Sequence, residues 1–329
     1  MKPSEFAAFL ARVETLTPMQ LDALAERAAE LRTGQRSIQA IETVRPTPRC
    51  SECGSEQAVR NGHSRGLQRF WCCDCGKTFS NATGTPLSGL RMKDRFAEFA
   101  ACMADGLTIR ATAKRMGIAI STAFRWRHRF LAETVNHQAR GLSGLVEADE
   151  TYLRESCKGS RNLGRPARKR GGEPMKGTKK KPAAAKKVVV LVMKARGSAH
   201  VADWVMPSFG KDEAAKAAKA ALAEDALLCT DGTGVYKQVE KDLGIKVEAM
   251  ATAYAGRTRA GPGGVVYHIQ GVNNYHERFK TWVNSRMRGV ATKNLPSYLA
   301  WMRMQEWFKD GITPEHYIVS GLGRQIINT

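Results

Sequence analysis

The spacing of hydrophobic positions along this chain changes character three times, and each stretch predicts a different kind of structure. Residues 1–40 read as a helical pair. Thr17, Pro18 and Gln20 make a helix start, with Thr as N-cap, Pro at the first helical position and Gln at the third. Leu21, Leu24, Ala28 and Leu31 then recur at helical spacing, a stripe suited to packing or self-association. Residues 45–82 lose that period and read as short strands and turns, and 83–90 (TGTPLSGL) is a turn-rich linker. Helical spacing returns over 91–134. Within it, 109–116 predicts a first helix, with small Ala113 at a crossing and Gly117 as the turn. Ser121 then caps a second helix carrying Arg125, Arg127, His128 and Arg129.

After Gly141 the period becomes that of strands. GLVEADETYL, KKVVVLVMKARG and AHVADWVM are rich in β-branched residues. An alanine-rich helix over 211–223, a short buried strand (ALLCTDGTG), a helix stopped by Gly244 and a strand (KVEAMATA) come next. A long helix from about Asn273 and another from Leu295 end the pattern. This order of strands and helices is that of an α/β domain of the ribonuclease-H-like kind, placed at 141–312. The fold class is therefore multidomain: N-terminal helices (1–40), a ribbon (45–82), a helix-turn-helix (91–134) and the α/β domain.

Four cysteines change the reading of 45–82. Cys50, Cys53, Cys72 and Cys75 form two Cys-x-x-Cys pairs, which give the four soft ligands of a structural zinc ion. Gly54 and Gly76 stand just after the pairs, where each turn needs a positive φ. The zinc anchors a segment too short to bury a core. Cys73 falls outside the spacing, and Cys102, Cys157 and Cys229 are scattered, a usage that suits a reducing cytosol. No signal peptide is visible, and the longest apolar run (188–193) is far too short to cross a bilayer. The expected location is the bacterial cytoplasm, with the nucleoid.

Charge narrows the partner. Lys and Arg number 52 against 31 Asp and Glu, a formal +21, which favours a polyanion such as double-stranded DNA. In the second helix of the helix-turn-helix, Ser121, Thr122 and Arg125 are candidates for base edges, with Arg129 on phosphate. Between the first two strands of the α/β domain lies an insert, 154–187, with thirteen Lys/Arg against Glu155 and Glu173. Arg168, Lys169, Arg170, Lys179, Lys180 and Lys181 stand in its centre. It reads as a phosphate clamp with steep salt dependence.

Phosphodiester chemistry needs carboxylates on a rigid sheet that hold two magnesium (or manganese) ions, one to activate the attacking oxygen and one to stabilise the leaving oxygen. Asp149, inside the first strand, and Asp231, at the end of ALLCTD, meet that need. A third ligand is expected from the helix that contains VNNYHERFK. There Asn273, Glu277, Lys280 and Asn284 fall on one face. By type Glu277 is the best hard ligand and His276 a poor one, while Lys280 could touch phosphate.

Together, CSEC…RFWCCDCGKTFSNATGTPL, VEADETYL, LLCTDG and VNNYHERFK…RGVATKNLPSYLAW resemble bacterial insertion-sequence transposases of the ISXO2-like type. These carry a zinc ribbon ahead of a ribonuclease-H-like catalytic domain. The resemblance covers about 45–310 and implies catalytic roles for Asp149 and Asp231. Most such transposases have Glu as third ligand with Lys seven residues on. Many zinc-ribbon members have Asn there, and Asn273 with Lys280 has that spacing, so resemblance favours Asn273. It further implies binding of terminal inverted repeats, strand cleavage and strand transfer into target DNA, and a homo-oligomer to hold two ends. A DNA-binding regulator with a dead site and a structure-specific nuclease of the same fold are the alternatives.

Overall fold

The computed structural model describes residues 2–45, 47–163, 186–250 and 258–326. The centre of the basic insert, with Arg168, Lys169, Arg170, Lys179, Lys180 and Lys181, lies outside the described residues. No described helix is long and apolar enough to cross a membrane. The chain divides into two compact units, 1–130 with 313–326 and 131–312.

The first unit opens with α1 (Pro3–Val13) and α2 (Pro18–Thr43). The start of α2 is as predicted: the Thr17 amide donates to Gln20 Oε1 at 2.9 Å and the Gln20 amide to Thr17 Oγ1 at 3.4 Å. Only the far end of α2 is buried, at Ser37, Ala40 and Ile41. That end anchors two later segments, because Ser37 Oγ accepts from the Ala97 amide and the Asn81 amide nitrogen donates to the Glu42 carbonyl. Strands β1 (Ala58–Ser64), β2 (Leu67–Cys72) and β3 (Thr78–Phe79) form an antiparallel ribbon. Helices α3 (Phe96–Ala104), α4 (Ile109–Met116) and α5 (Ile120–Leu131) come next. Phe96, Phe99, Trp126 and Phe130 pack edge-on or tilted at 5.1–5.3 Å between centroids and form their shared core. Gly117 has φ 61°, and the Ile118 amide reaches back to the Ala113 carbonyl at 3.0 Å, so α4 ends in a left-handed cap.

The second unit is built on a five-stranded mixed sheet. It comprises β4 (Leu145–Arg154), β5 (Lys187–Ala195), β6 (Val201–Met206), β7 (Leu227–Thr230) and β8 (Lys246–Ala249). Their order is β6-β5-β4-β7-β8. The first three pair antiparallel, and β7 and β8 add parallel to β4. The parallel pairings need crossovers, and α6 (Lys211–Ala221) and α7 (Tyr236–Leu243) supply them. One core packs them on the sheet: Val146, Ala148, Leu191 and Leu228 meet Ala214, Ala218 and Val239. Helices α8 (Gln270–Thr281) and α9 (Leu295–Trp307) complete the unit, and α8 leads into a π turn at Trp282–Arg286. A final helix, α10 (Pro314–Gly321), belongs to the first unit, where it packs on α2 and α3.

Buried ionic groups hold α8 and α9 against the sheet. Asp203 on β6 pairs with Arg303 of α9 and accepts from Tyr275 Oη of α8 at 3.0 Å. Gln138 bonds the Asp203 main chain on both sides, and Arg303 also donates to the Thr134 carbonyl at 2.8 Å. Asp203 and Arg303 side chains are each 1% exposed. Removing one partner of such a pair strands a charge out of water. Arg303→Met should therefore destabilise the chain by about 3–5 kcal/mol, while pairing it with Asp203→Leu should recover much of that loss. Urea denaturation of both variants checks this.

Candidate active site

Strand alternation places Glu147, Asp149 and Thr151 on one face of β4 and Val146, Ala148 and Glu150 on the other. The first face lies under α8. Glu147, 2% exposed, accepts from the Val272 amide at 3.0 Å, at the positive end of α8. Arg196 and His268 flank the same carboxylate, each at 3.0 Å. The approach is so close that a Cβ on Gly271 would come within 2.8 Å of Glu147 Oε2. One helical turn on, His276 Nδ1 stands 3.5 Å from Asp149 Oδ2. Two strand residues match one turn of helix, so α8 and β4 run side by side with the acids between them.

Asp231 stands just past the last residue of β7, and its Oδ1 accepts from the Thr233 amide at 3.0 Å. The structure brings Asp149, Asp231 and Glu150 together: one carboxylate oxygen from each lies within 4.8 Å of the others. Glu150 is the member that the sequence reading missed. It stands on the apolar face of β4 after Val146 and Ala148, where a carboxylate is costly, and that interruption was the available signal. Tyr236 Oη donates to it at 3.5 Å. Burial, followed by the charges of Asp231 and Asp149, pushes its pKa up to about 7. Oxygen donors crowded in this way suit hard divalent cations.

The expected third ligands fall on α8 and in the turn after it. Asn273 is exposed on α8, on the face that it shares with His276 and Lys280 at i, i+3 and i+7. Glu277 is also exposed; it bonds Lys280 at 3.3 Å and is not part of the acidic group. Asn284 sits in the π turn, which breaks the predicted register of that face. Lys280, Arg154 and Lys158 line a hollow of about 530 Å³ beyond the end of β4, floored by Leu153, Val283 and Leu295.

In the first unit, the helix-turn-helix exposes fewer basic groups than the sequence suggests. Helix α5 begins at Ile120, and the Ala119 carbonyl accepts from Ala123, so Ser121 is inside the first turn instead of capping it. Ser121 and Arg125 are exposed and Thr122 is half-buried. Arg127 is buried and donates to the Leu107 carbonyl at 2.7 Å. Arg129, expected on phosphate, is committed to the Pro86 and Ser88 carbonyls. Ile120 and Phe124 are 55% and 44% exposed on this helix.

The four cysteines of the ribbon converge. Their sulfurs lie within 4.8 Å of one another, with Cys50–Cys75 and Cys53–Cys72 each at 3.6 Å. That is too long for a disulfide and near the ~3.8 Å edge of a tetrahedron with 2.3 Å zinc–sulfur bonds. Each pair sits on the same turn: Gly54 and Gly76, at φ 76° and 67°, donate to the Cys50 and Cys72 carbonyls. The Cys53 amide is the main reason that the Cys50 thiol is lowered to about 7. Beyond the cysteines, the ribbon core is little more than Phe70 and Phe79. Cys73 is exposed and lies outside the cluster.

Two outcomes are expected. Elemental analysis should find about one zinc per chain, lost in Cys72→Ser along with order in the ribbon. Without added magnesium or manganese, Glu150 should make stability fall as pH rises from 4.5 towards about 7, because the folded state keeps a proton that the unfolded state has released. That component should vanish in Glu150→Gln, as tracked by urea unfolding across the pH range.

Comparison with known proteins identifies the family. A model of the ISXO2-like transposase domain matches residues 141–306, and one of a homeodomain-like domain matches 90–146. An uncharacterized protein in transposable element ISH50 of Halobacterium salinarum is 27% identical over 260 residues, 76% of this chain and 82% of that one. The pre-cleavage Mos1 transpososome is 12% identical with a TM-score of 0.22, covering 70% of this chain and 80% of that one. The Mos1 paired-end complex with left transposon end is 14% identical, also with a TM-score of 0.22, covering 70% and 79%. Likenesses that slight carry no weight here. The match over 141–306 takes in half of the chain and every strand of the sheet that bears the acids, and the chain belongs to the ISXO2-like transposase domain family, enzymes that transfer polynucleotide strands.

Proposed function

We propose that this transposase binds the terminal inverted repeats of its own insertion element, cleaves there and joins the freed end to target DNA. The observation that carries the reading is the convergence of Asp149, Glu150 and Asp231 oxygens within 4.8 Å. The sheet order and the place of the acids on adjacent strands support a ribonuclease-H-like catalytic domain. The three carboxylates would hold divalent cations, magnesium or manganese. When bound, these supply an activated attacking oxygen and stabilise charge on the leaving oxygen.

The chain's own groups do the rest. His276 Nδ1 orients Asp149 from α8, the Thr233 amide orients Asp231, and Tyr236 Oη orients Glu150. With Glu150 in the set, an uncharged fourth ligand from α8 is enough. Asn273 fits that role better than Glu277, because it shares a helix face with His276 while Glu277 is paired with Lys280. Arg154 would receive the phosphates next to the scissile bond, and Lys280 would join it by giving up its bond to Glu277, while Lys158 is held by the Arg288 and Gly289 carbonyls. The thiolate cluster would hold zinc and stiffen the ribbon against the repeat. Ser121, Thr122 and Arg125 would read base edges, with Ile120 and Phe124 placed for thymine methyl groups.

End cleavage and strand transfer on an oligonucleotide duplex that carries the repeat test this reading. Asp231→Ala should lose about a thousandfold in cleavage, and Glu150→Gln about 10–100-fold. Both should bind the repeat as tightly as the unaltered protein. Cleavage of Asp231→Ala at the unaltered rate would overturn the site. Binding without any cleavage by the unaltered protein would mark it as a regulator, and cleavage without joining as a nuclease.

A further inference from the structure

The N-terminal helices have no use in the site just described, and their surface is unlike the rest of the chain. Helix α1 buries none of its 11 residues. Over residues 18–32 of α2, about 22 Å of helix, no side chain is buried, and Leu24 alone is half-covered. An isolated helix of this length is marginal in water, so these two need a partner to be stable.

Both carry an apolar stripe. On α1, Phe6, Phe9, Leu10 and Val13 fall at i, i+3, i+4 and i+7, and the Phe6 and Phe9 rings stack at 6.4 Å. On α2, Leu21, Leu24, Ala28 and Leu31 have the 3-4-3 spacing of a coiled-coil seam. Phe6, Phe9, Leu10, Met19, Leu21 and Leu31 are all more than 40% exposed. They are six of the fourteen large apolar side chains exposed among the described residues, in about a tenth of the chain. A concentration of that kind marks an interaction surface.

Charge decides the occupant. Residues 1–32 hold four Lys/Arg (Lys2, Arg12, Arg27, Arg32) and five Asp/Glu (Glu5, Glu14, Asp22, Glu26, Glu30), a net −1 in a chain of +21. DNA and anionic lipid both call for a basic face, and this segment has none. Acids and bases interleaved beside an apolar seam suit a copy of themselves. In an antiparallel pairing Leu21 meets Leu31 and Leu24 meets Ala28, so a large residue faces a small one at the centre.

We propose that α1 and the free part of α2 are a self-association surface whose occupant is the same helical pair of a second copy of this chain. The two α2 seams bury against each other as an antiparallel pair. The interface is two-fold, so the patch is its own complement. The proposal does not depend on the catalytic reading, since the surface needs neither metal nor DNA.

The test is the molar mass of the full-length protein by light scattering, without DNA, beside a Leu21→Glu/Leu31→Glu double variant. Both positions are exposed, so the folded core is untouched. The unaltered chain should have twice its 36.2 kDa mass, and the variant should halve to the monomer value. The variant should keep its zinc content and its binding to a single repeat end. A variant mass that stays at the dimer value would overturn the proposal, as would an unaltered chain that is monomeric at tens of micromolar. Failure of end cleavage with dimerisation intact would fall on the catalytic reading alone.

Discussion

Three carboxylates do not crowd together unless something holds them there. In water they would move apart; in the middle of β4 and just past β7 they cannot, and burial together with the charges of Asp231 and Asp149 raises the pKa of Glu150. What holds them is the backbone of a mixed sheet. The parallel register of β4 against β7 pairs Glu147 with Cys229, so two residues further along each strand Asp149 and Asp231 come level. A cation bound at such a point would remove a repulsion that the fold already sustains. The acidic group is thus both the least comfortable part of the sheet and the part that the rest of the second unit is built to keep in place.

Helix α8 is kept in place by the same means. Its first turn receives the Glu147 carboxylate, its middle is tied through Tyr275 to Asp203, and Arg278 bonds Glu306 of α9 at 2.7 Å. Each of these acids has a base or a backbone amide of its own, so each is satisfied within the protein. The acids of the site differ: Asp149, Glu150 and Asp231 face one another with a histidine, an amide and a phenol as neighbours. Acids that meet a Lys, an Arg or a helix N-terminus stabilise the framework, and a cluster of acids without one is where perturbed carboxylates gather. A uniform reading of the carboxylates would miss that division.

The first unit spends its bases in a similar way. Arg127 and Arg129 of α5 serve Leu107, Pro86 and Ser88 carbonyls, which braces the helix and leaves Arg125 free to face a ligand. The formal charge of the chain therefore overstates how much of this helix is available to DNA. The ribbon is the opposite case, in which almost nothing but the four sulfurs and two phenylalanines is available to hold the fold.

Local signals in the sequence settled much of this molecule. The Thr17 cap and the Gly117 turn are decided within a few residues, and so are the two cysteine turns. The succession of strands and helices was legible in the periodicity, and Asp149 and Asp231 stood out as candidates because a carboxylate on a buried strand is expensive. Other features needed tertiary structure. Glu150 points to the opposite face from Asp149 by strand alternation, and only the end of β7 brings Asp231 within reach of both. The burial of Arg127, the service of Arg129 to a loop about forty residues earlier, and the Asp203–Arg303 pair across a hundred residues have no local sign. Nor has the return of α10 to the first unit. Short-range periodicity reports which face of an element is dry; which charged groups meet there depends on how distant elements are laid against one another.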